Sequence, residues 1–364
     1  MGGRNGRRRH VRIWRHRGSL PESLTGAVLA LGNFDGFHRG HQVVVGEAGR
    51  LARAMGVPLA VLVTEPHPRA FFAPDSPPFR LTPFRDRFRL LETFGVDLLA
   101  VLRFDHGLAA TPHWRFVLRY LVEALAVRHV VVGFDYRFGH GRGGSAETLA
   151  WQGGMEGFGV TIVPPVRLGI EGAAGEIYSS SLVRQALRDG QARRAAALLG
   201  HWWTVSGRVI AGDRRGRLIG FPTANIRMRP TALRPRRGVY AVRVILENGT
   251  GEPAVHEGVA NFGLRPTFAG LAERLEVHLF DFDQDLYGRH LRVEFVGFIR
   301  PERKFDSPQT LQAQIARDCE AARAMLADPE NARDHLPAPT LERYLADHPD
   351  PPVALREFAG MPDV

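Results

Sequence analysis

The sequence predicts a two-part α/β plus β protein: a parallel sheet covered by helices, then a small antiparallel barrel or sandwich closed by one helix. Three observations carry this. Between residues 26 and 163, short apolar runs alternate with helical stretches, the pattern of βαβ crossovers in a sheet buried on both faces. Near residue 200 the pattern changes to short runs rich in Val, Ile, Phe and Thr, separated by Gly, Pro, Asn or Asp turns. The length, 364 residues of which 44% are hydrophobic, suffices for two domains with their own cores.

Taken in order, the first predicted strand covers 27–31 and runs into Gly32-Asn33-Phe34-Asp35-Gly36, with a helix over 41–55. A buried strand at 58–64 leads to a proline-rich loop, a helix at 83–94 and a strand at 97–104. Helices at 113–126 and 146–153 and strands at 129–134 and 160–163 complete the series. Ligands of such sheets sit at the carboxyl ends of the strands. The second part has predicted strands at 204–210, 223–229, 239–246, 257–261, 275–282 and 291–299. Ser307 as N-cap and Pro308 at the first helical position open the closing helix, whose apolar positions are Leu311, Ile315, Ala322 and Leu326. The resulting domains are 19–190 and 200–327. They are flanked by a basic flexible arm at 1–18 and a weakly structured, acidic, proline-rich tail at 328–364.

The net charge is +10. The arm contributes +7 through seven arginines and no acid, and the tail −5, which leaves +8 for residues 18–327. The body is therefore basic in its own right and suited to anionic ligands. Cys319 is the only cysteine, which excludes an intramolecular disulfide, a multi-cysteine zinc site and an iron–sulfur cluster, and fits a reducing compartment. Lys304 is the only lysine, and its setting Pro301-Glu302-Arg303-Lys304-Phe305 fits neither a Walker A loop nor a Schiff-base site. No run reaches the ~18 apolar residues of a membrane span, and the arm lacks the apolar core of a secretory signal. The protein is expected in the cytoplasm, with no membrane partner.

Two strings carry chemistry. Gly32 to His41 is a strand–turn–helix junction, where glycines admit a close ligand and the helix start offers free amide hydrogens to phosphate. His38 and His41, three apart, fall on one helical face and reach the same phosphate oxygens. In the second half, Gly207, Gly212, Gly216 and Gly220 with interleaved arginines suit a phosphate-cradling loop, against the plainer reading of a basic hairpin. Phe221-Pro222-Thr223-Ala224-Asn225 enters a strand with Thr223 and Asn225 on one side. Their hydroxyl and amide oxygens can coordinate Mg²⁺ alongside ATP phosphates.

These strings resemble a known family, the prokaryotic bifunctional riboflavin kinase/FMN adenylyltransferases (FAD synthetases). Glu65-Pro66-His67-Pro68 is similar to the family's Pro-His-Pro loop, and Gly133-Phe134-Asp135-Tyr136-Arg137-Phe138-Gly139 to its Gly-x-Asp-Phe-x-Phe-Gly segment, with Tyr136 for the usual Phe. Tyr178-Ser179-Ser180-Ser181-Leu182-Val183-Arg184 stands where the family has Ile-Ser-Ser-Thr-x-Ile-Arg. The second half matches through Gly207–Asn225, Gly238-Val239-Tyr240-Ala241, Gly258–Thr267, Leu275–Asp283, Arg300–Phe305, Gln314-Ile315 and Asp318.

The resemblance implies a Rossmann-like nucleotidyltransferase sheet, a riboflavin-kinase-type antiparallel β-barrel, and the substrates riboflavin, FMN and ATP with Mg²⁺. It implies ATP and phosphate contacts from His38, His41, the backbone of Gly32, Asn33, Phe34, Asp35, Gly36 and Gly40, the hydroxyls of Ser179, Ser180 and Ser181, and Arg184. Flavin contacts are implied for Asn33, Pro66, His67, Asp135, Phe138 and Arg300, although Asp135 reads equally as a turn residue. Glu276 is implied as the base that takes the proton from the ribityl hydroxyl, since an isolated strand glutamate would otherwise be a surface residue. Two other readings stand beside this one: a kinase whose nucleotidyltransferase half is weakened by its departures, and a nucleic-acid binder working through the arginine arm. The arm's only interleaved aromatic is Trp14, so non-specific charge attraction ranks above base readout there.

Overall fold

The structure, a computed structural model, describes residues 10–16, 19–169, 175–211, 216, 220–247, 253–267 and 270–350. It separates into two compact units, Met1–Pro77 with Arg87–Tyr178 and Ala338–Val364, and Pro78–Asp86 with Ser179–Pro337.

The first unit is built on strands β1 (Arg12–Trp14), β2 (Val28–Leu31), β3 (Leu59–Glu65), β4 (Leu98–Arg103), β5 (His129–Gly133) and β8 (Gly159–Val163). They form one parallel sheet in the order β1-β4-β3-β2-β5-β8. Strands β2 and β3 are apolar and almost wholly buried, as a sheet covered on both faces requires. A short hairpin, β6 (Arg137–Phe138) and β7 (Gly144–Ser145), follows β5. The helices of this part of the chain are α1 (Arg39–Met55), α2 (Pro68–Phe72), α3 (Phe84–Phe94), α4 (His106–Ala109), α5 (His113–Phe116), which runs on as a wider π-helical stretch to Ala124, and α6 (Ala146–Glu156). After β2 the chain builds outward through β3 and β4, then returns to place β5 on the other side of β2. The order reverses between β2 and β5, the switch point where doubly wound sheets open a ligand crevice. The loops that follow these two strands carry Gly32–His41 and Asp135.

The second unit is a closed six-stranded barrel, order β10-β13-β12-β11-β14-β9, all neighbours antiparallel. Its strands are β9 (Thr204–Ile210), β10 (Ala224–Arg227), β11 (Gly238–Leu246), β12 (Ala254–Thr267), β13 (Gly270–Leu279) and β14 (His290–Arg300). Two helices, α7 (Ser180–Arg188) and α8 (Ala192–Leu199), precede it and α9 (Pro308–Ala327) closes it. As predicted, Ser307 caps α9 with Pro308 in its first turn. Ala322 and Leu326 pack on Val239, Ala241, Val259 and Val296, whereas Leu311 and Ile315 stay partly exposed.

Three expectations need correction. The arm is not flexible throughout: Val11 and Trp14 are buried and residues 12–14 pair with β4 as an edge strand, while Arg12 and Arg15 face solvent. Arginine density hid two apolar anchors. Residues 1–9, 17 and 18 lie outside the described residues. The expected domain boundary near 190 falls inside the second unit, to which residues 78–86 also belong. Leu81 offers its carbonyl to Trp203 Nε1 at 3.0 Å and Asp86 accepts from the Ser206 hydroxyl. Over residues 328–350 the tail has two short 3₁₀ turns and a helix α10 (Leu341–Asp347) capped by Thr340, while residues 351–364 lie outside the described residues. Its proline and acid content concealed Leu341 and Tyr344, three residues apart and both buried.

Candidate active sites

In the sheet unit, the loop after β2 is held in a left-handed conformation at Phe34, Gly36 and Phe37. Both phenylalanine side chains are buried, so their rings anchor the loop. Phe34 meets the His41 ring edge-on at 5.3 Å. His38 caps α1: its Nδ1 accepts the His41 backbone N–H at 3.3 Å. In a neutral imidazole that leaves the ring proton on Nε2, a donor for an anionic oxygen. The two histidine rings stack at 3.6 Å. The structure thus brings His38 and His41 together as expected, but through a cap and a stack and not from one helical face. A Cβ at Gly40 would press on the His38 ring at 3.3 Å, so glycine there leaves the ring its place.

Asn33 is fixed from two sides. Its side-chain oxygen accepts from Thr64 at 3.1 Å, and its carbonyl accepts from Arg87 Nη1 at 2.6 Å. Arg87 is fully buried and its other arm pairs with Glu65 at the end of β3. Asp35, in the same loop, is buried. Glu65–Pro66 is a cis peptide, Pro66 is exposed, and His67 caps α2 by accepting the Arg69 N–H at 3.1 Å. Asp135, just beyond β5, is exposed.

In the barrel unit, register supplies the geometry. Asn225 on β10 lies opposite Glu276 on β13, and Glu276 lies opposite Asn261 on β12. Directly opposed residues share a face of the sheet with Cβ atoms about 5 Å apart, so these three polar side chains form one row across three strands. Leu275 and Val277 on either side are fully buried, which fixes Glu276 on the opposite face. Asn225 is itself buried, and its Oδ1 has no hydrogen-bond partner among the described residues. Thr223 is exposed just before β10. Its Oγ1 is 3.4 Å from where a Cβ on Gly216 would stand. The Phe221 N–H donates to the Gly216 carbonyl at 2.8 Å, and Gly220 turns with φ +83. His278 Nδ1 donates to the Pro222 carbonyl at 2.8 Å and so pins the approach to Thr223. Gly212 lies outside the described residues.

Comparison with known proteins decides what these two sites belong to. A family model for FAD synthetase matches residues 20–176, and one for riboflavin kinase matches residues 199–326. The bifunctional riboflavin kinase/FMN adenylyltransferase of Escherichia coli K12 is 45% identical over 293 residues, 80% of this chain and 90% of its own. That of Bacillus subtilis is 37% identical, over 83% and 93%. The chain belongs to this family. It is a bifunctional enzyme of FAD biosynthesis, phosphorylating riboflavin to FMN and adenylylating FMN to FAD with ATP. The reading of a monofunctional kinase with a weakened first half gives way to both matches. A crystal structure from Streptococcus pneumoniae, described as a macrolide-efflux protein, superposes with TM-score 0.72 at 34% identity, over 82% of this chain and 94% of that one. Among the described residues here, no helix is long and apolar enough to cross a membrane.

Within this bifunctional enzyme several expected contacts have other work. The Phe138 ring is core, against Tyr136 at 5.6 Å and Phe116 at 5.5 Å, where burial also raises the Tyr136 hydroxyl far above its usual range. Gly207 sits inside β9, where any Cβ would strike Ile226 and the Arg227 carbonyl; it serves strand packing, not a phosphate loop. Arg300 is held by Asp318 through Nε at 2.8 Å and Nη2 at 2.7 Å, and by the Pro301 carbonyl through Nη1 at 3.0 Å. It ties β14 to α9, which accounts for the matching Arg300, Gln314 and Asp318. Ser179 caps α7 by accepting the Leu182 N–H at 3.3 Å, with Ser180 and Ser181 in the first turn. Arg184 donates Nε to the Phe79 carbonyl at 2.8 Å and lies over the Phe79 ring. The sequence reading missed Arg87 and Asn261. Arg87 looks like any helix arginine until burial is known, and Asn261 acquires meaning only from strand register.

Proposed function

We propose that Glu276 is the base of the riboflavin kinase and that Thr223 and Asn225 hold the magnesium ion that accompanies ATP there. The observation that carries this reading is the row Asn225–Glu276–Asn261 with its buried, unsatisfied Asn225 Oδ1, because a buried amide oxygen is costly unless something meets it. A hydroxyl and an amide oxygen fit a hard cation completed by phosphate oxygens. When bound, Mg²⁺ would supply charge neutralisation at the transferring phosphates. Among the described residues no cluster of three His, Cys, Asp or Glu offers an all-protein alternative. The ribityl hydroxyl oxygen attacks the γ-phosphorus, its proton passes to Glu276, and the bond to the β–γ bridging oxygen breaks, releasing ADP.

For the sheet unit, His38 Nε2, His41 and the amides opening α1 neutralise the charge that develops on pyrophosphate as the FMN phosphate attacks the α-phosphorus. No base is needed, because the attacking phosphate is already an anion. Asn33, positioned by Thr64 and Arg87, together with exposed Asp135 and Pro66 and half-buried His67 in the loops after neighbouring strands, supports flavin placement. The single cysteine and the dependence on ATP support a place in the cytoplasm. The test is chromatography of products from riboflavin and ATP with and without Mg²⁺: FMN then FAD is expected with the metal and neither after chelation. FMN formation that persists in excess chelator would remove the role of Thr223 and Asn225.

A further inference from the structure

The riboflavin kinase match ends at residue 326, and residues 338–350 belong to the sheet unit. There α10 lies against α1, and the contact is built from both sides. On α1, Gly46 and Gly49 leave two gaps on one face. A Cβ at Gly46 would collide with the Tyr344 ring, and one at Gly49 with Leu341. Between them Glu47 is completely buried. It accepts the Tyr344 hydroxyl at 2.6 Å and pairs with Arg50 at 3.2 Å. Arg50 in turn donates to the carbonyls of His348 and Pro349, and Arg53 pairs with Glu342 at 2.6 Å. Burial, then the hydrogen bond and charge of Glu47, push the Tyr344 hydroxyl well above its usual range, so it stays a donor.

Glycine in a helix interior leaves the backbone loose and short of packing, and the interior of α1 contains Gly46 and Gly49. Such a helix is stiff only where something fills the gaps, and a buried carboxylate needs its partners in place. The helix so held begins at the His38 cap and carries His41 in its first turn. We propose that residues 338–349 form a strap that stiffens α1 and thereby positions His38 and His41 for FMN adenylylation, with Tyr344 as the key positioning residue. This rests on the reading of the two histidines as ATP-phosphate contacts.

The test uses the full chain with Tyr344→Ala, Tyr344→Phe or Gly46→Leu, the last displacing the Tyr344 ring from its gap with the strap's own sequence unchanged. His38→Ala with His41→Ala is the reference. Tyr344→Ala and Gly46→Leu should each lower kcat for FMN adenylylation about tenfold with KM unchanged, since small misplacements of catalytic groups are costly. Riboflavin phosphorylation by the same molecules should stay within about twofold, and amide exchange over residues 42–55 should accelerate. Tyr344→Phe, which keeps the ring in its gap, should retain most of the activity. Unchanged adenylylation despite faster exchange would reduce the strap to a structural support and overturn the proposal. Unchanged exchange, or equal loss of both activities, would overturn it too. Full adenylylation in the double histidine variant would overturn the reading of the histidines instead, and that result is independent of what the Tyr344 variants do.

Discussion

The two units, one matching FAD synthetase and the other riboflavin kinase, build their proposed sites from different materials. The sheet unit uses backbone: a left-handed loop, a helix start, and a histidine that doubles as the helix cap. The barrel uses side chains placed by register, Asn225, Glu276 and Asn261 in one row. A backbone site needs neighbours that fix the loop, which is what Thr64, Arg87 and Glu65 do for Asn33. A register site is fixed by the ladder itself, because a one-residue slip would turn Glu276 into the core.

The sharpest way to break this comparison is at the proton acceptor. Glu276→Gln should cut riboflavin phosphorylation by about 10²- to 10⁴-fold while FAD formation from supplied FMN continues at its normal rate. Retained kinase activity would move the base elsewhere. The mirror experiment, His38→Ala with His41→Ala, should cut FAD formation by about 10²- to 10³-fold and leave FMN accumulating. Parallel loss of both products would show that the units are not chemically separate.

Smaller effects test the supports. Arg87→Met removes charged hydrogen bonds to Asn33 and Glu65 from a fully buried position and should destabilise the protein by about 2 kcal/mol, with FAD formation falling more than FMN formation. Thermal unfolding and paired product assays measure both, and an equal fall in the two activities would deny Arg87 a role in holding the Asn33 loop. The mildest effect is one of pH. Burial lowers His129 from 6.5 to about 4, with Nε2 bonded to Thr161 at 2.8 Å. The unfolded chain takes up this proton near pH 6.5 and the folded one resists it until about 4. Stability is therefore full above pH 6.5 and declines as pH falls toward 4. His129→Gln should flatten that part of the denaturation profile; an unaltered slope would assign it to other groups.

Much of this was legible in the sequence. Periodicity located the five sheet strands after the arm and all six barrel strands, because a buried strand must be apolar and a helix must repeat every 3.6 residues. Local chemistry placed the Ser307 cap and the pairing of His38 with His41. Where reading failed, composition outweighed a few apolar side chains. Seven arginines masked Val11 and Trp14, and acids and prolines masked Leu341 and Tyr344. Arg184 and Arg300 show another limit: the motifs do not reveal that Arg184 donates to the Phe79 carbonyl or that Arg300 pairs with Asp318.

By itself the sequence determined the two-part architecture, the order of its strands along the chain, the family, and so both activities. Those properties rest on local periodicity and contiguous motifs. Tertiary structure alone decided the partners of side chains distant in sequence. It showed that Arg87 belongs to Asn33 across 54 residues and Tyr344 to Glu47 across 297. Asn261 likewise shares a row with Glu276 only once the barrel closes. Burial and register depend on the whole chain being folded, and no local window of sequence contains them.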